Sequence, residues 1–252
     1  MMTALNTGLL FLLGAVLGSF ANVCIWRLPR RESIVWPPSH CPLCREKLKP
    51  WHMVPIFSWF LLRGKCAYCG GGISLRYPLV EAATAAVFAA IGYAWGLSAL
   101  SLQYCILSLA LIISIGTDLS HREIPDQVSL GASAVLAFLA LILGRWGNLL
   151  GGVLLFGILF LIAVLSKGGM GGGDIKLALA IGLGLGWRLG LLALALAVLT
   201  GGVVSVVMLL MGQRKKALPF APFLAAGAWL AMFLGERLLD LYISVVFMLS
   251  TW

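Results

Sequence analysis

Nine acidic residues occur in 252, so the position of each is informative. Two stand where an acid is least expected. Asp118 ends an apolar run, LALIISIGTD (109–118), and Asp174 opens another, in GMGGGDIK (169–176). An insertion scale prices a carboxylate at the centre of a membrane helix at about 2.5–3.5 kcal/mol. Two carboxylates that converge cannot both ionise easily, so one keeps a proton while the other acts as a base. Such a pair can activate water against a peptide carbonyl and would titrate as a unit. A structural alternative stands beside this: Asp174 as a helix cap and Asp118 as a partner of Arg122. The glycines before Asp174 would let a backbone pass close to it. Asp126, in the EIPD turn, reads as a cap. Glu81 reads as a partner of Arg76 or as part of a second site. Glu236 and Asp240 read as a solvated face.

The second constellation is Cys41-x-x-Cys44 and Cys66-x-x-Cys69, two pairs separated by 21 residues. Four thiolates at this spacing suit a tetrahedral Zn²⁺, which would close a loop too short and polar to build its own core. A redox-active pair is the competing reading and needs an oxidising compartment. Cys24 and Cys105 lie in apolar runs and read as small core residues. His40 and His52 read as solvated loop residues.

These residues sit on an apolar scaffold. The chain is 61% hydrophobic and 11% charged, against about 25% charged in soluble domains. A spanning helix needs about 20 mostly apolar residues. Eight candidates follow, roughly 8–26, 79–96, 100–117, 127–144, 149–166, 175–187, 190–211 and 219–235. The sixth is short and holds Gly182, Gly184 and Gly186. The tail from Gly235 to Trp252 reads as part of the last helix or as an interfacial segment. Gly151, Gly152, Gly201 and Gly202 would allow close helix packing. No cleavable leader is expected, since residues 1–7 carry no Lys or Arg. The expected architecture is therefore an all-α polytopic membrane protein: a first helix over 1–26, a cysteine loop over 27–77 and a multi-helix domain over 78–252.

The net charge of +9 suggests basic loops facing the cytoplasm rather than nucleic acid. The loop 27–77 holds nine basic residues: Arg27, Arg30, Arg31, Arg45, Lys47, Lys49, Arg63, Lys65 and Arg76. Eight spans place Arg122, Lys167, Lys176, Arg214, Lys215 and Lys216 on the same side. Arg145, Arg188 and Arg237 fall opposite. This asymmetry predicts a cytoplasmic cysteine loop, an N-terminus outside, and Asp118 and Asp174 on one side of the membrane.

Taken together, LGSFANVCIWRLP (17–29), the cysteine segment 40–81, TDLSHREIPD (117–126), GMGGGDIKLALAIG (169–182) and LPFAPFLAAG (218–227) resemble the type IV prepilin peptidase family. The resemblance implies that Asp118 and Asp174 are catalytic aspartates. It implies that Cys41, Cys44, Cys66 and Cys69 form a zinc-binding tetracysteine motif. It further implies N-methylation of the new amino terminus with S-adenosylmethionine, with Gly64 and Lys65 at positions tied to that activity. The implied substrates are prepilins or pseudopilins cut after Gly at the face of the cytoplasmic membrane. Met53-Val54 and Ala221 depart from the usual Asn-Ile and Gly. A transporter or assembly-platform protein with a zinc-binding docking loop is the alternative. A presenilin-like protease would have Tyr, not Thr117, before its first aspartate.

Overall fold

The structure, a computed structural model, describes residues 2–167, 169–212 and 218–250, with side chains to 244. Arg214, Lys215 and Lys216 lie outside the described residues. The helices are α1 (Met2–Arg27), α2 (Phe57–Leu61), α3 (Arg76–Trp95), α4 (Ala99–His121), α5 (Asp126–Ile142), α6 (Trp146–Leu165), α7 (Gly172–Leu210) and α8 (Ala221–Ser250). Two short 3₁₀ turns, Leu28–Arg30 and Pro50–Met53, lie in the cysteine loop. No strand occurs among the described residues; the loop holds two isolated bridges, His40 with Lys47 and Lys65 with Gly72. The chain is an all-α polytopic membrane protein. Six helices are long and apolar enough to cross a bilayer, and α5 is a shorter apolar one. Their outward Leu, Val and Phe side chains, such as Leu12, Phe138, Val153 and Leu199, are exposed because lipid rather than water meets them.

The chain divides into two compact units, residues 1–121 and 122–252. In the first, α1 runs antiparallel to α3. A Cβ on Gly14 would lie 2.8 Å from the backbone of Ala85, and one on Gly18 would lie 2.7 Å from Cα of Glu81. Glycine is thus required on α1 for the two backbones to meet. α4 closes this unit, its Gly116 lying under Ile25.

In the second unit the sixth and seventh expected spans are the two arms of α7. Gly186 breaks the helix at φ 80°, ψ 174°. Residues 182 and 190 would be about 12 Å apart in a straight helix. Instead a Cβ on Gly190 would lie 3.5 Å from Cα of Gly182, so α7 doubles back into a hairpin. The break removes helical partners near the turn, and the Asn148 side-chain amide donates to the Leu183 carbonyl at 2.8 Å. With α7 counted as two arms, the described residues hold eight apolar helical segments besides α2, α5 and the first arm of α7 being the short ones. α6 packs on the hairpin through Gly151, where a Cβ would lie 2.6 Å from the Gly182 carbonyl and from the Trp187 amide. Gly152 meets Leu183, and Gly201 makes ordinary contact with Phe220 and Phe223. Gly202 faces open space, so the packing role expected of it is not there. α8 runs antiparallel to the second arm, with Gly227 on Ala193 and Gly235 on Leu189. It continues to Ser250, so the tail to that point belongs to the last helix.

Gly151→Leu is expected to cost about 3 kcal/mol or more, because the side chain meets backbone that cannot retreat. Gly202→Leu should change stability by less than about 0.5 kcal/mol. Thermal unfolding in detergent compares the two.

Candidate functional site

The cysteine loop folds as two copies of one knuckle, 25 residues apart. In the first, Cys41 N–H donates to Glu46 O at 3.0 Å, Arg45 N–H to Cys41 O at 2.9 Å, and Leu48 N–H to Ser39 O at 2.9 Å. In the second, Cys66 N–H donates to Gly71 O at 2.8 Å, Gly70 N–H to Cys66 O at 3.0 Å, and Ile73 N–H to Gly64 O at 2.7 Å. The residue after each second cysteine is left-handed, Arg45 at φ 58° and Gly70 at φ 71°.

The four sulfurs lie within 4.8 Å of one another, with Cys41 and Cys66 buried and Cys44 and Cys69 exposed. Cys41 Sγ and Cys69 Sγ are 3.8 Å apart and all cysteines are free thiols. A tetrahedron with Zn–S bonds of about 2.3 Å has edges of about 3.8 Å. The donor set therefore fits zinc. The Cys44 N–H, aided by that of Leu43, holds the Cys41 thiol down at about 7 against the opposing effect of burial. Cys44 receives the Glu46 N–H, but desolvation and the neighbouring sulfurs, Cys41 foremost, hold it up at about 12. A bound cation is what would let all four ionise together.

His40 turns its Nδ1 to the Pro38 carbonyl at 3.0 Å and stays exposed, away from the sulfurs. His52 is not a solvated residue: its ring is half-buried edge-on against Tyr68, with centroids 5.3 Å apart. Gly64 and Lys65 form the entry to the second knuckle. Gly64 has φ 67°, and a Cβ there would lie 2.8 Å from the Trp59 ring. Trp59 in turn donates its indole N–H to Ile73 O at 3.0 Å. Lys65 pairs across the knuckle with Gly72, as His40 does with Lys47.

Glu81 does not pair with Arg76. It is buried, and it accepts the Ile56 N–H at 2.6 Å and the Ser19 hydroxyl. Ile56 sits at φ 66°, ψ −57°, with Phe57 N–H bonded to Pro55 O at 2.7 Å. This tight γ-turn is strained for a β-branched residue. The carboxylate offsets part of that strain with a strong hydrogen bond and ties the loop to α3. Arg76 lies over Tyr77 and Trp26, and Arg30 lies 3.7 Å above the Trp26 ring.

Asp118 lies one turn from the end of α4 and is 7% exposed. Asp174 lies in the first turn of α7 and is half-buried, with its N–H bonded to Gly171 O at 3.1 Å. A Cβ on Gly171 would lie 3.0 Å from Asp174 Oδ2, so glycine leaves that oxygen room. Gly172 borders open space, and Gly173 packs against Ile124. Asp126 is not a cap, since Pro125 holds the cap position; its carboxylate accepts from Lys176 Nζ at 2.6 Å. That ion pair ties the entry of α5 to the turn of α7 that carries Asp174. Spacing gave no signal for it, because the partners are 50 residues apart. Glu236 and Asp240 are exposed, as expected.

Residues 12–95 match the model of the bacterial peptidase A24 N-terminal domain, and residues 105–206 match that of the type IV leader peptidase family. A prepilin leader peptidase/N-methyltransferase of Bacillus subtilis is 38% identical over 94% of this chain and 98% of its own length. The chain belongs to the type IV leader peptidase family. Relatives of the same description in Xanthomonas campestris and Pseudomonas aeruginosa are 34% and 32% identical, each over 92% of this chain and over 92% and 91% of their own lengths. No solved structure matches the chain. Both acids and all four cysteines of this leader peptidase family member lie inside the matched segments.

Elemental analysis of the purified chain should find one zinc per molecule, and cobalt substitution should give a tetrathiolate spectrum. With the four sulfurs as its ligands, zinc should be weakened in Cys44→Ser by more than the roughly hundredfold that loss of an outer partner can cost. Metal-free protein containing two disulfides would contradict this.

Proposed function

We propose that this chain is a membrane aspartic endopeptidase that removes the leader from type IV prepilins or pseudopilins. Cleavage follows a Gly at the cytoplasmic face, and the same chain then N-methylates the new amino terminus. The observation that carries this is the near full-length likeness to leader peptidase/N-methyltransferases, in a chain whose two buried or half-buried aspartates each sit at the end of a spanning helix. Counting eight spans from a basic, cytoplasmic cysteine loop brings Asp118 and Asp174 to the same face of the cytoplasmic membrane. The N-terminus then lies outside. The arm 172–185 spans only about 21 Å, less than the roughly 30 Å of hydrocarbon, which favours a carboxylate held near the lipid boundary.

In the mechanism, Asp118 and Asp174 share one proton. The ionised member takes a proton from water as the oxygen attacks the carbonyl of the leader's last Gly. The protonated member stabilises the developing oxyanion and passes its proton to the leaving amine. The C–N bond breaks, leaving a leader carboxylate and a new amine, with no covalent enzyme intermediate. Gly171 and Gly172 leave space for the substrate backbone beside Asp174. The Lys176–Asp126 pair fixes the turn that carries Asp174.

Methyl transfer is assigned to the segment 27–77. S-adenosylmethionine supplies an electrophilic methyl group there. Gly64 and Lys65 serve this step by shaping the second knuckle, and Cys41, Cys44, Cys66 and Cys69 hold Zn²⁺ as a fold-maker rather than as a reactant.

Asp118→Asn and Asp174→Asn should each reduce cleavage of a synthetic prepilin peptide at least about a thousandfold. Methylation of the pre-cleaved peptide should persist in both. Mass spectrometry of the products reads both steps at once. Near-normal cleavage by either variant would remove the dyad.

A further inference from the structure

The short helix α2 gathers its apolar residues on one face. Phe57, Phe60 and Leu61 stand at i, i+3 and i+4, positions that share one side of a helix. That side points away from the protein: the three are 65%, 63% and 82% exposed. The loop covers the other side, where the Trp59 indole bonds to Ile73 O and its ring lies against Gly64. A surface helix in water turns its apolar face inward. α2 does the reverse, as the lipid-facing sides of the spanning helices do.

The fastenings of the loop set how deep α2 lies. At the start of the loop Arg27 is buried at the exit of α1, and its Nη1 and Nη2 donate to the Ser33 and Pro37 carbonyls at 2.8 Å each. That portion stays at the end of the helix. Ile56, directly before α2, is drawn back along it. Its N–H reaches Glu81, whose carboxylate also accepts the Ser19 hydroxyl. Along α1, Ser19 precedes Trp26 by about 10 Å at the helical rise of about 1.5 Å per residue. Asn22 Nδ2 donates to Tyr77 O at 3.0 Å, so α1 and α3 keep their antiparallel register over this stretch. Trp26, with Arg30 and Arg76 stacked about it, has the composition of a membrane–water boundary. Ile56 therefore starts α2 about 10 Å to the bilayer side of that cluster. In-plane amphipathic segments settle about 5–10 Å into the boundary between headgroups and acyl chains.

The charge around α2 suits the same surroundings. The segment 27–77 holds nine basic residues against two acids, Glu32 and Glu46. Arg63 and Lys65 follow α2 closely and are exposed. Basic residues beside a membrane attract anionic headgroups. We propose that α2 is an in-plane anchor on an anionic lipid surface. Phe57, Phe60 and Leu61 enter the acyl boundary, and Arg63 and Lys65 hold the headgroups. The anchor seats the second knuckle, which opens at Gly64 directly behind it, on the lipid. It requires only that α1 and α3 span a bilayer, and not the chemistry proposed above.

The full chain is placed in nanodiscs of equal parts phosphatidylglycerol and phosphatidylcholine. A photoreactive benzoylphenylalanine replaces Phe60 or, as a reference, the lipid-facing Phe138 of α5, and mass spectrometry identifies what each captures. Position 60 should capture lipid to within about threefold of the yield at position 138. Its adducts should favour phosphatidylglycerol by at least about fivefold, the share of a single Lys or Arg near the surface. Arg63→Gln combined with Lys65→Gln should bring that preference below about twofold while total lipid capture persists. Phe57→Ser combined with Leu61→Ser should cut lipid capture at position 60 by at least about fivefold, with zinc content unchanged. Absence of lipid adducts at position 60, or adducts with no preference for phosphatidylglycerol, overturns the anchor. So does capture of a second copy of the chain, or of an added prepilin peptide, in place of lipid.

Discussion

Hydrocarbon offers no hydrogen-bond partner, so every polar group carried into the bilayer must find one within the chain. That constraint explains most of what is unusual here. It turns apolar runs into helices. It permits the break at Gly186 because the Asn148 amide reaches the Leu183 carbonyl. It leaves room for few acids, and it gives those that remain defined partners, as with Glu81 and the Ile56 N–H.

Where the chain leaves the membrane, the problem inverts. The cysteine loop has ample water but too little apolar surface to fold by burial. Its order comes from local backbone hydrogen bonds repeated in two knuckles, from aromatic and cationic stacking around Trp26, Trp59 and Tyr68, and from four sulfurs spaced for one metal. Glu81 and Arg27 then fasten this loop to α3 and α1. The two anchors are a buried carboxylate and a buried guanidinium, each satisfied mainly by loop backbone.

The spans and the four cysteines were legible in the sequence because they depend on local composition and spacing. The short sixth span was legible only as a doubtful one. Its glycines lower helix propensity, yet they are what allow α6 to meet the α7 hairpin at Gly151 and Gly182. The two Cys-x-x-Cys knuckles are legible from their spacing, whereas their shared backbone pattern is not, because HCPLCREKL and KCAYCGGGI share little beyond their cysteines; that likeness is in hydrogen bonds. The contacts of Asp126, Glu81 and Arg27 are not legible in the sequence for one reason. Their partners, Lys176, Ile56 and the Pro37 carbonyl, are set by tertiary structure, and short-range rules see only caps and neighbouring charges.

The proposed chemistry needs carboxylates from α4 and α7 to share a proton, and so to meet. Dibromobimane becomes fluorescent only after alkylating two adjacent thiols. It can be applied to a zinc-loaded chain carrying Asp118→Cys and Asp174→Cys, with Cys24 and Cys105 changed to Ala. A fluorescent bridge between peptides holding positions 118 and 174, lost when a prepilin peptide is bound, is the predicted result. Two singly alkylated cysteines with no bridge at saturating reagent would contradict a shared proton and the proteolytic mechanism built on it.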